Sequence, residues 1–351
     1  MRRPCGIFDE SYKQDMMICR TRFHWSMMIL FLVFLLGLLP RVAGEGVLSV
    51  MNMMGITLIA TLGLNILTGY CGQISLGHAI FVCVGGYISG MLMHHLGWSW
   101  WLSIPLAAGG TALVGLLFGS PSLRIKGFYV AMSTLGAYFI IIWVLMHGGN
   151  ITGGIYGFPV RNPKFFGIDI LTQKQFFYLI MAFCILMVFF AKNIVRGRLG
   201  RAFIAIRDND LAAEFMGINI FHYKLIAFAI CSAFAGVAGS LQACYWGYVN
   251  VEQFPFMDNI WFLSYVIVGG MGSIAGTIFG VIFLKLISNG VMLLGPVIGE
   301  AVPAIAGSVV SALMLILSGL IIVLFLIFEP RGLYHRWEVT KSSFQIWPFT
   351  Y

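Results

Sequence analysis

The sequence predicts an all-α, polytopic transmembrane helix bundle of about ten spans, with both termini on the cytoplasmic side. Three observations predict it. Of the 351 residues, 60% are hydrophobic and only 10% are charged, against about 25% charged in a typical soluble domain. The mean hydropathy of +0.92 leaves too little polar surface to cover a water-soluble fold, which excludes disordered, collagenous and disulfide-framework classes. The apolar residues lie in long uninterrupted runs rather than alternating, so the spans are helices and not barrel strands.

A hydrocarbon core about 30 Å thick takes about 20 helical residues. Ten runs approach this length, at 24–40, 47–68, 74–93, 101–119, 127–146, 175–191, 225–247, 254–270, 274–294 and 303–328. The chain thus divides into a cytoplasmic segment 1–23, a transmembrane domain 24–328 and a cytoplasmic tail 329–351. The first run follows Arg20 and Arg22 and precedes Val42-Ala43-Gly44, a signal-sequence pattern. We read it as an uncleaved anchor, because the stretch before it is long for a signal peptide.

Basic residues set the direction of the remaining spans. With the N-terminus inside, the inner pieces hold 16 Lys and Arg: Arg2, Arg3, Lys13, Arg20 and Arg22; Arg124 and Lys126; Lys192, Arg196, Arg198, Arg201, Arg207 and Lys224; Arg331, Arg336 and Lys341. The outer pieces hold 4, Arg41, Arg161, Lys164 and Lys174, and Lys285 lies within a span. This is the positive-inside pattern. It also accounts for the net charge of +8 without nucleic acid, and it directs the basic pieces toward membrane lipid. The seven cysteines show no C-x-x-C spacing, and most sit in apolar runs as small hydrophobes. His94 and His95, beside Trp98, Trp100 and Trp101, read as an interfacial aromatic belt.

Two gaps between spans carry no basic residue and much glycine: Gly69, Gly72 and Gly77 in the first, Gly269, Gly270, Gly272 and Gly276 in the second. Each reads either as a tight turn or as a re-entrant break. Irregular backbone at membrane depth survives only inside protein or along a wet cavity. Asn65, Thr68, Gln73, Ser75 and His78 in and beside the first gap, Thr134 in the fifth span, and Gly270 and Ser273 in the second gap are the candidate translocation-path residues. Broken helices with free backbone ends are a common way to meet a polar solute. The competing reading is close helix packing through small residues, which explains the glycines better than Gln73 and His78. Thr152-Gly153-Gly154 reads as an outer turn. Lys285, one turn from Asn289, is too deep to reach water easily and is expected to face a groove, a partner or a wet cavity.

The inner loop 192–222 is the most informative polar segment. Phe203, Ile206, Leu211, Phe215 and Met216 space out as short amphipathic helices at the membrane surface. Asp208 or Asn209 can cap the second helix, and Gly217 can end it. One reading is an interfacial helix whose arginines meet anionic lipid; the other is a docking helix for a cytoplasmic partner. There is no G-x-x-x-x-G-K-[ST] and no H-E-x-x-H, so the chain offers neither of these nucleotide and zinc motifs.

Several stretches together resemble bacterial branched-chain amino acid ABC transporter permeases, closest to the Liv-type M subunit family. They are Leu64 to Ala79 through Gly69, Gly72, Gln73, Ser75, Gly77 and His78; Tyr129 to Leu135; Leu145 to Gly157; Gly200 to Asn219; Val268 to Ser273; and Phe328 to Leu333. Order and spacing match over about residues 47–335. The resemblance implies a non-enzymatic transport subunit of the bacterial inner membrane. It works with a second homologous permease, two cytoplasmic ATPase subunits that carry ATP and Mg, and a periplasmic substrate-binding protein, and binds no cofactor or metal itself. It places ATPase coupling on Arg201, Ala205, Arg207, Asp208, Asn209, Ala212, Ala213, Met216 and Gly217. The E-A-A-x-x-x-G pattern of importer coupling helices is met by Ala212, Ala213 and Gly217, with Leu211 where the acid stands. A urea or short-chain amide permease of the same superfamily, a secondary transporter or channel, and a scaffold without transport are the alternatives.

Overall fold

In a computed structural model, residues 33–122, 129–161, 163–165, 168–293, 319–325, 327–329 and 331–346 are described, with isolated positions at 26, 29, 30, 312 and 316. Among them six helices are long and apolar enough to cross a membrane. In chain order, a π-helical turn Phe34–Leu38 and a short helix Leu39–Val42 precede α1, Glu45–Asn65, which continues as a π-helix over Ile66–Tyr70. Next come α2, His78–His94, α3, Trp100–Ser122, α4, Tyr129–His147, and α5, Gln173–Arg196. Two short helices, α6, Arg198–Asp208, and α7, Asp210–Phe215, lead into α8, Ile220–Trp246. The described chain closes with α9, Met257–Gly269, α10, Ile274–Leu293, and α11, Gly332–Ile346.

Several of the expected runs differ from the helices observed; 225–247, for one, begins earlier, at Ile220. The run 74–93 is helical only from His78, and 254–270 only from Met257. At 1.5 Å per residue the 13 residues of α9 reach only about 20 Å, short of a full crossing. The run 74–93 loses its start next to a glycine-rich break, with Gly72 at φ of 73°; the run 254–270 loses Phe254, Pro255 and Phe256 at its start and is ended at the other side by Gly270 and Gly272, at φ of 114° and 79°, a region side chains disfavour. The run 175–191 extends instead to Arg196. Much of the first run, 24–40, and of the tenth, 303–328, lies outside the described residues.

α8 is the axis of the bundle. In its most apolar window 67% of residues are buried, against 28% in α5 at the periphery. Lipid gives no hydrophobic drive for helix association, so close approach through small residues and a few hydrogen bonds must supply it. Ser240 Oγ donates to Ser89 Oγ at 2.7 Å, and Ser89 meets Ser103 at 3.0 Å, joining α8, α2 and α3. Tyr245 OH donates to Gln173 Oε1 at 2.9 Å, Asn52 Nδ2 reaches the same oxygen at 3.2 Å, and Ser49 pairs with Tyr245 at 2.9 Å, joining α1, α5 and α8. The α5 start is held by Thr172 and Gln175 in a reciprocal cap.

A Cβ placed on Gly236 of α8 would lie 2.8 Å from Ala107 O and 3.0 Å from Ala108 Cα of α3. Backbone cannot yield as a side-chain tip can. Gly236→Val is therefore expected to destabilise the bundle by about 1–3 kcal/mol through overpacking, seen as a lower unfolding midpoint in detergent. An unchanged midpoint would show that α3 and α8 are not in contact there.

The two ends of the bundle differ. At one, Phe158–Pro159 pairs antiparallel with Tyr248–Val249, Phe158 opposite Val249 and Pro159 opposite Tyr248, and Lys164–Phe165 pairs with Ile168–Asp169. The turn at Thr152 to Gly154 is held by Thr152 Oγ1 donating to Leu145 O at 2.7 Å. At the other end the two glycine-rich breaks meet the α6–α7 segment. The segments that alternating spans assign to one side, 69–77, 192–222 and 270–273, thus lie together.

Candidate functional site

The junction at that second end is built from three segments far apart in sequence. Asn65 is the last residue of α1 before its π turn, the kind of helix irregularity that often marks a functional position. Its Nδ2 donates to Ser273 O at 3.0 Å, and its Oδ1 accepts from Gly272 N at 3.0 Å. One amide side chain thereby bonds a backbone donor and a backbone acceptor of the second break from within the first. Arg207, near the end of α6, extends Nη1 to Gly69 O at 3.0 Å, while its Nε and Nη2 grip Asp208 Oδ1 at 3.1 and 2.9 Å. Carbonyls released by a broken helix need such donors.

Glycine makes this approach possible. A Cβ on Gly72 would lie 3.0 Å from Arg207 Cγ, and one on Gly272 would lie 3.0 Å from Arg207 Nη1. A fourth segment also enters. A Cβ on Gly270 would lie 3.0 Å from Arg331 O, and Gly332, with φ of 78°, packs on Gly270. From Gly332, α11 continues beneath α10, where Trp337 meets Phe279 with ring centres 6.4 Å apart. Sequence reading singled out neither Gly332 nor Arg331 as part of a site. The glycine between Arg331 and Leu333, just past an apolar run, was the available signal.

The path candidates fall into two groups. Asn65, Gly270 and Ser273 meet at the junction, where Ser273 Oγ also caps α10 through Gly276 N at 3.1 Å. Thr68 is buried beside them, and its Oγ1 has no hydrogen-bond partner among the described residues. The extended chain after the first break forms the second group. Thr134 Oγ1 donates to Ala131 O and accepts from Leu76 N at 3.0 Å, tying α4 to the break. Ser75 is buried, its Oγ facing Gly77 N at 3.5 Å. Gln73 is half-buried, and its backbone N–H donates to Leu67 O. His78 is fully buried. It bonds Ala60 O through Nε2 at 2.9 Å, which requires the Nε2–H tautomer, and meets Cys231 Sγ through Nδ1 at 3.4 Å. The ring stands edge-on to Phe262 with centres 5.2 Å apart.

The 192–222 segment separates two apolar faces that sequence spacing had put on one list. Phe203 and Ile206, with Ala202 and Gly200, are buried against the bundle. Leu211, Phe215 and Met216 point away from it, at 56%, 91% and 85% exposure. Arg201, Ala212 and Asn209 are exposed, Ala205 is half-buried and Ala213 is buried. The geometry of the exposed tip is firmly set. Asn209 Oδ1 accepts from Ala212 N at 3.1 Å to start α7. Gly217, at φ 83°, closes it with Gly217 N on Glu214 O at 2.9 Å and Ile218 N on Ala213 O at 3.0 Å. A rigid, capped turn thus holds a large apolar patch in the open, an arrangement monomeric proteins keep mainly for partners.

Comparison with known proteins agrees with this architecture. A family model described as branched-chain amino acid transport system / permease component matches residues 46–326. The chain is 32% identical over 282 residues to the high-affinity branched-chain amino acid transport system permease protein LivM of Salmonella typhimurium, covering 72% of this chain and 66% of that one. It is 33% identical over 282 residues to LivM of Escherichia coli K12, covering 73% and 66%. LivH of Salmonella typhimurium, named as a permease protein of the same kind of system, is 24% identical over 315 residues, covering 82% and 95%. The chain therefore spans about two thirds of the length of the LivM relatives it matches. No solved structure matches it. A multi-pass membrane protein by its helices, the chain belongs to the family of branched-chain amino acid transport system permease components.

Proposed function

We propose that the chain is the permease subunit of an ATP-driven importer that moves leucine, isoleucine and valine across the bacterial inner membrane. The observation that carries this reading is the exposed Leu211, Phe215 and Met216 patch on a capped helix next to Arg207, which is bonded to Gly69 O of the first helix break and lies against Gly272 of the second. A motor that grips the patch gains a direct mechanical hold on the broken helices. The partners are a second, homologous permease subunit, two ATPase subunits docking on residues 196–219, and a periplasmic binding protein that delivers solute. Organisms holding both LivM and LivH, each similar to this chain, support a pair of related permeases. ATP and Mg belong to the ATPase subunits.

The basic-residue pattern directs the junction end toward the cytoplasm and the strand-paired end outward. Asn65, Gly270 and Ser273 form the inner collar of the path. Thr68 and Gln73 offer it polar groups, and Ser75, His78 and Thr134 hold the chain that shapes it. Only a ligand with different affinity for two states shifts their balance; ATP-bound closure of the ATPase pair supplies that difference through α7.

The test is reconstitution with all three kinds of partner in proteoliposomes. Labelled leucine is expected to accumulate only with ATP and the binding protein present, and labelled urea is not. Urea uptake in place of leucine would favour the amide-permease alternative. Accumulation that persists with the ATPases inhibited would replace this reading with a secondary transporter.

A further inference from the structure

A cavity of about 530 Å³ opens between α1, α8, α9 and α10. Trp246, at the end of α8, and Asp258, at the start of α9, line it, so it lies in the half of the bundle away from the junction. Its volume is in the range of small-molecule sites. Met53, Ile56, Trp261 and Phe262 make apolar walls, and Asp258 and Lys285 stand on different helices of it. Among the described residues neither makes an ion pair within 4 Å or a side-chain hydrogen bond. Ionisable groups inside a membrane protein are expensive and seldom kept without a task. An acid and a base that face one cavity without closing on each other leave the gap that a molecule carrying both charges fills.

Another cavity shows the contrast. A groove of about 660 Å³ beside Trp101, Tyr178, Phe183 and Leu186 is almost wholly apolar. The carbonyl oxygen of Gln175 in it is already taken by the N–H groups of Leu171 and Thr172. That groove suits lipid chains and has no means of choosing a polar solute.

We infer that the first cavity is a zwitterion site, with Asp258 facing the ammonium and Lys285 the carboxylate of an amino acid whose aliphatic side chain lies against Met53, Ile56 and Trp261. The inference rests on the importer reading above and gives it a solute-recognising pair. Gln242, half-buried on the wall and with no side-chain hydrogen bond to the described residues, is the neutral group that serves both ends. Two charges in a roomy cavity hold solute loosely, which suits passage.

The test uses the complete complex of permeases and ATPases in lipid nanodiscs without the binding protein, so that delivery does not impose its own selectivity. Saturation-transfer NMR compares leucine with 4-methylpentanoate, which lacks the ammonium, and 3-methylbutylamine, which lacks the carboxylate. Leucine is expected to bind best to the wild type. Asp258→Asn and Lys285→Gln should each weaken leucine by about tenfold, the scale of one charge-assisted hydrogen bond. They should also diverge: Asp258→Asn loses its preference for leucine over the acid, and Lys285→Gln over the amine. A merely structural pair cannot produce reciprocal changes of selectivity. ATPase stimulation by the binding protein, measured separately, reports assembly; if the neutral variants fail it, Asp258→Glu and Lys285→Arg with the wild-type ranking decide. Unaltered selectivity in both variants, or equal binding of all three probes by the wild type, overturns the assignment. If the wild type imports a different zwitterion in place of leucine while the variants diverge as expected, the branched-chain reading falls and the cavity assignment stands.

Discussion

Arg207→Glu combined with Gly217→Pro should abolish binding-protein-stimulated ATP hydrolysis and uptake in the reconstituted complex, while the chain still inserts and assembles in the membrane. Two independent physical losses add here. Glutamate cannot donate to Gly69 O, and it places a carboxylate beside that carbonyl and beside Asp208, where the arginine now bonds both. Losing a hydrogen bond from a charged donor costs about 1.5–3 kcal/mol. Proline at 217 cannot adopt the φ of 83° found there and removes the N–H that bonds Glu214 O, at a cost of about 3 kcal/mol or more. The helix that must absorb this has six residues, too few to be stable without its caps. At about 1.4 kcal/mol per decade, the two changes depopulate the presented patch on the order of a thousandfold. Both positions lie in the exposed segment outside the spans, which is why insertion survives. ATPase assays and uptake on the same vesicles read the result; normal coupling in the double variant would remove α7 from the docking role.

What the sequence made legible follows the physics of each feature. Six of the apolar runs fall on described helices long and apolar enough to cross a membrane, because the length of apolar chain needed to cross a bilayer is a local quantity; 74–93 and 254–270 fall on shorter helices. Helix ends were legible where a cap residue fixes them, as at Asn209 and Gly217. Where glycine releases the backbone, as at Gly72 and Gly270, the break was visible but its extent was not. Pairings were illegible. Nothing local to Asn65 says that it serves Ser273 and Gly272, more than 200 positions away, and nothing near Phe158 says that it pairs with Val249. A helix surrounded by apolar material also carries little amphipathic signal, so inward and lipid-facing positions of α3 or α8 read alike. The Asp258 and Lys285 pair was half visible: Lys285 stood out inside a span, whereas Asp258 sat at a span start, where an acid is unremarked. The α6–α7 segment, more polar, did show its two apolar sets, but only the fold separates buried Phe203 and Ile206 from exposed Phe215 and Met216.

Gly69→Val should reduce ATP-dependent uptake to background, with an effect larger than any other single substitution at the junction. Gly69 is buried, and a Cβ on it would fall against Asn65 Oδ1 and Gly272 N, the two atoms that form one of the bonds joining the breaks. The added carbon is thus a wedge between donor and acceptor, and neither belongs to a freely swinging side-chain tip, since Asn65 is itself pinned by Ser273 O. Moving Gly69 to relieve the clash also carries its carbonyl away from Arg207. Leaving a buried donor unsatisfied costs about 1–3 kcal/mol and each lost bond about 1 kcal/mol more, so one substitution loosens both breaks and the root of α7 together. A graded series separates this cause from general fragility. Gly109→Ala in α3, where a Cβ meets nothing within 4 Å, should be neutral. Asn65→Ala, which removes the bonds without a wedge, should retain part of the uptake, and Gly69→Ala should fall between Asn65→Ala and Gly69→Val. Uptake and unfolding midpoints on the same four variants give the ordering. Full transport by Gly69→Val would mean that the two breaks work apart, and that pulling on α7 cannot reach the second of them through the first.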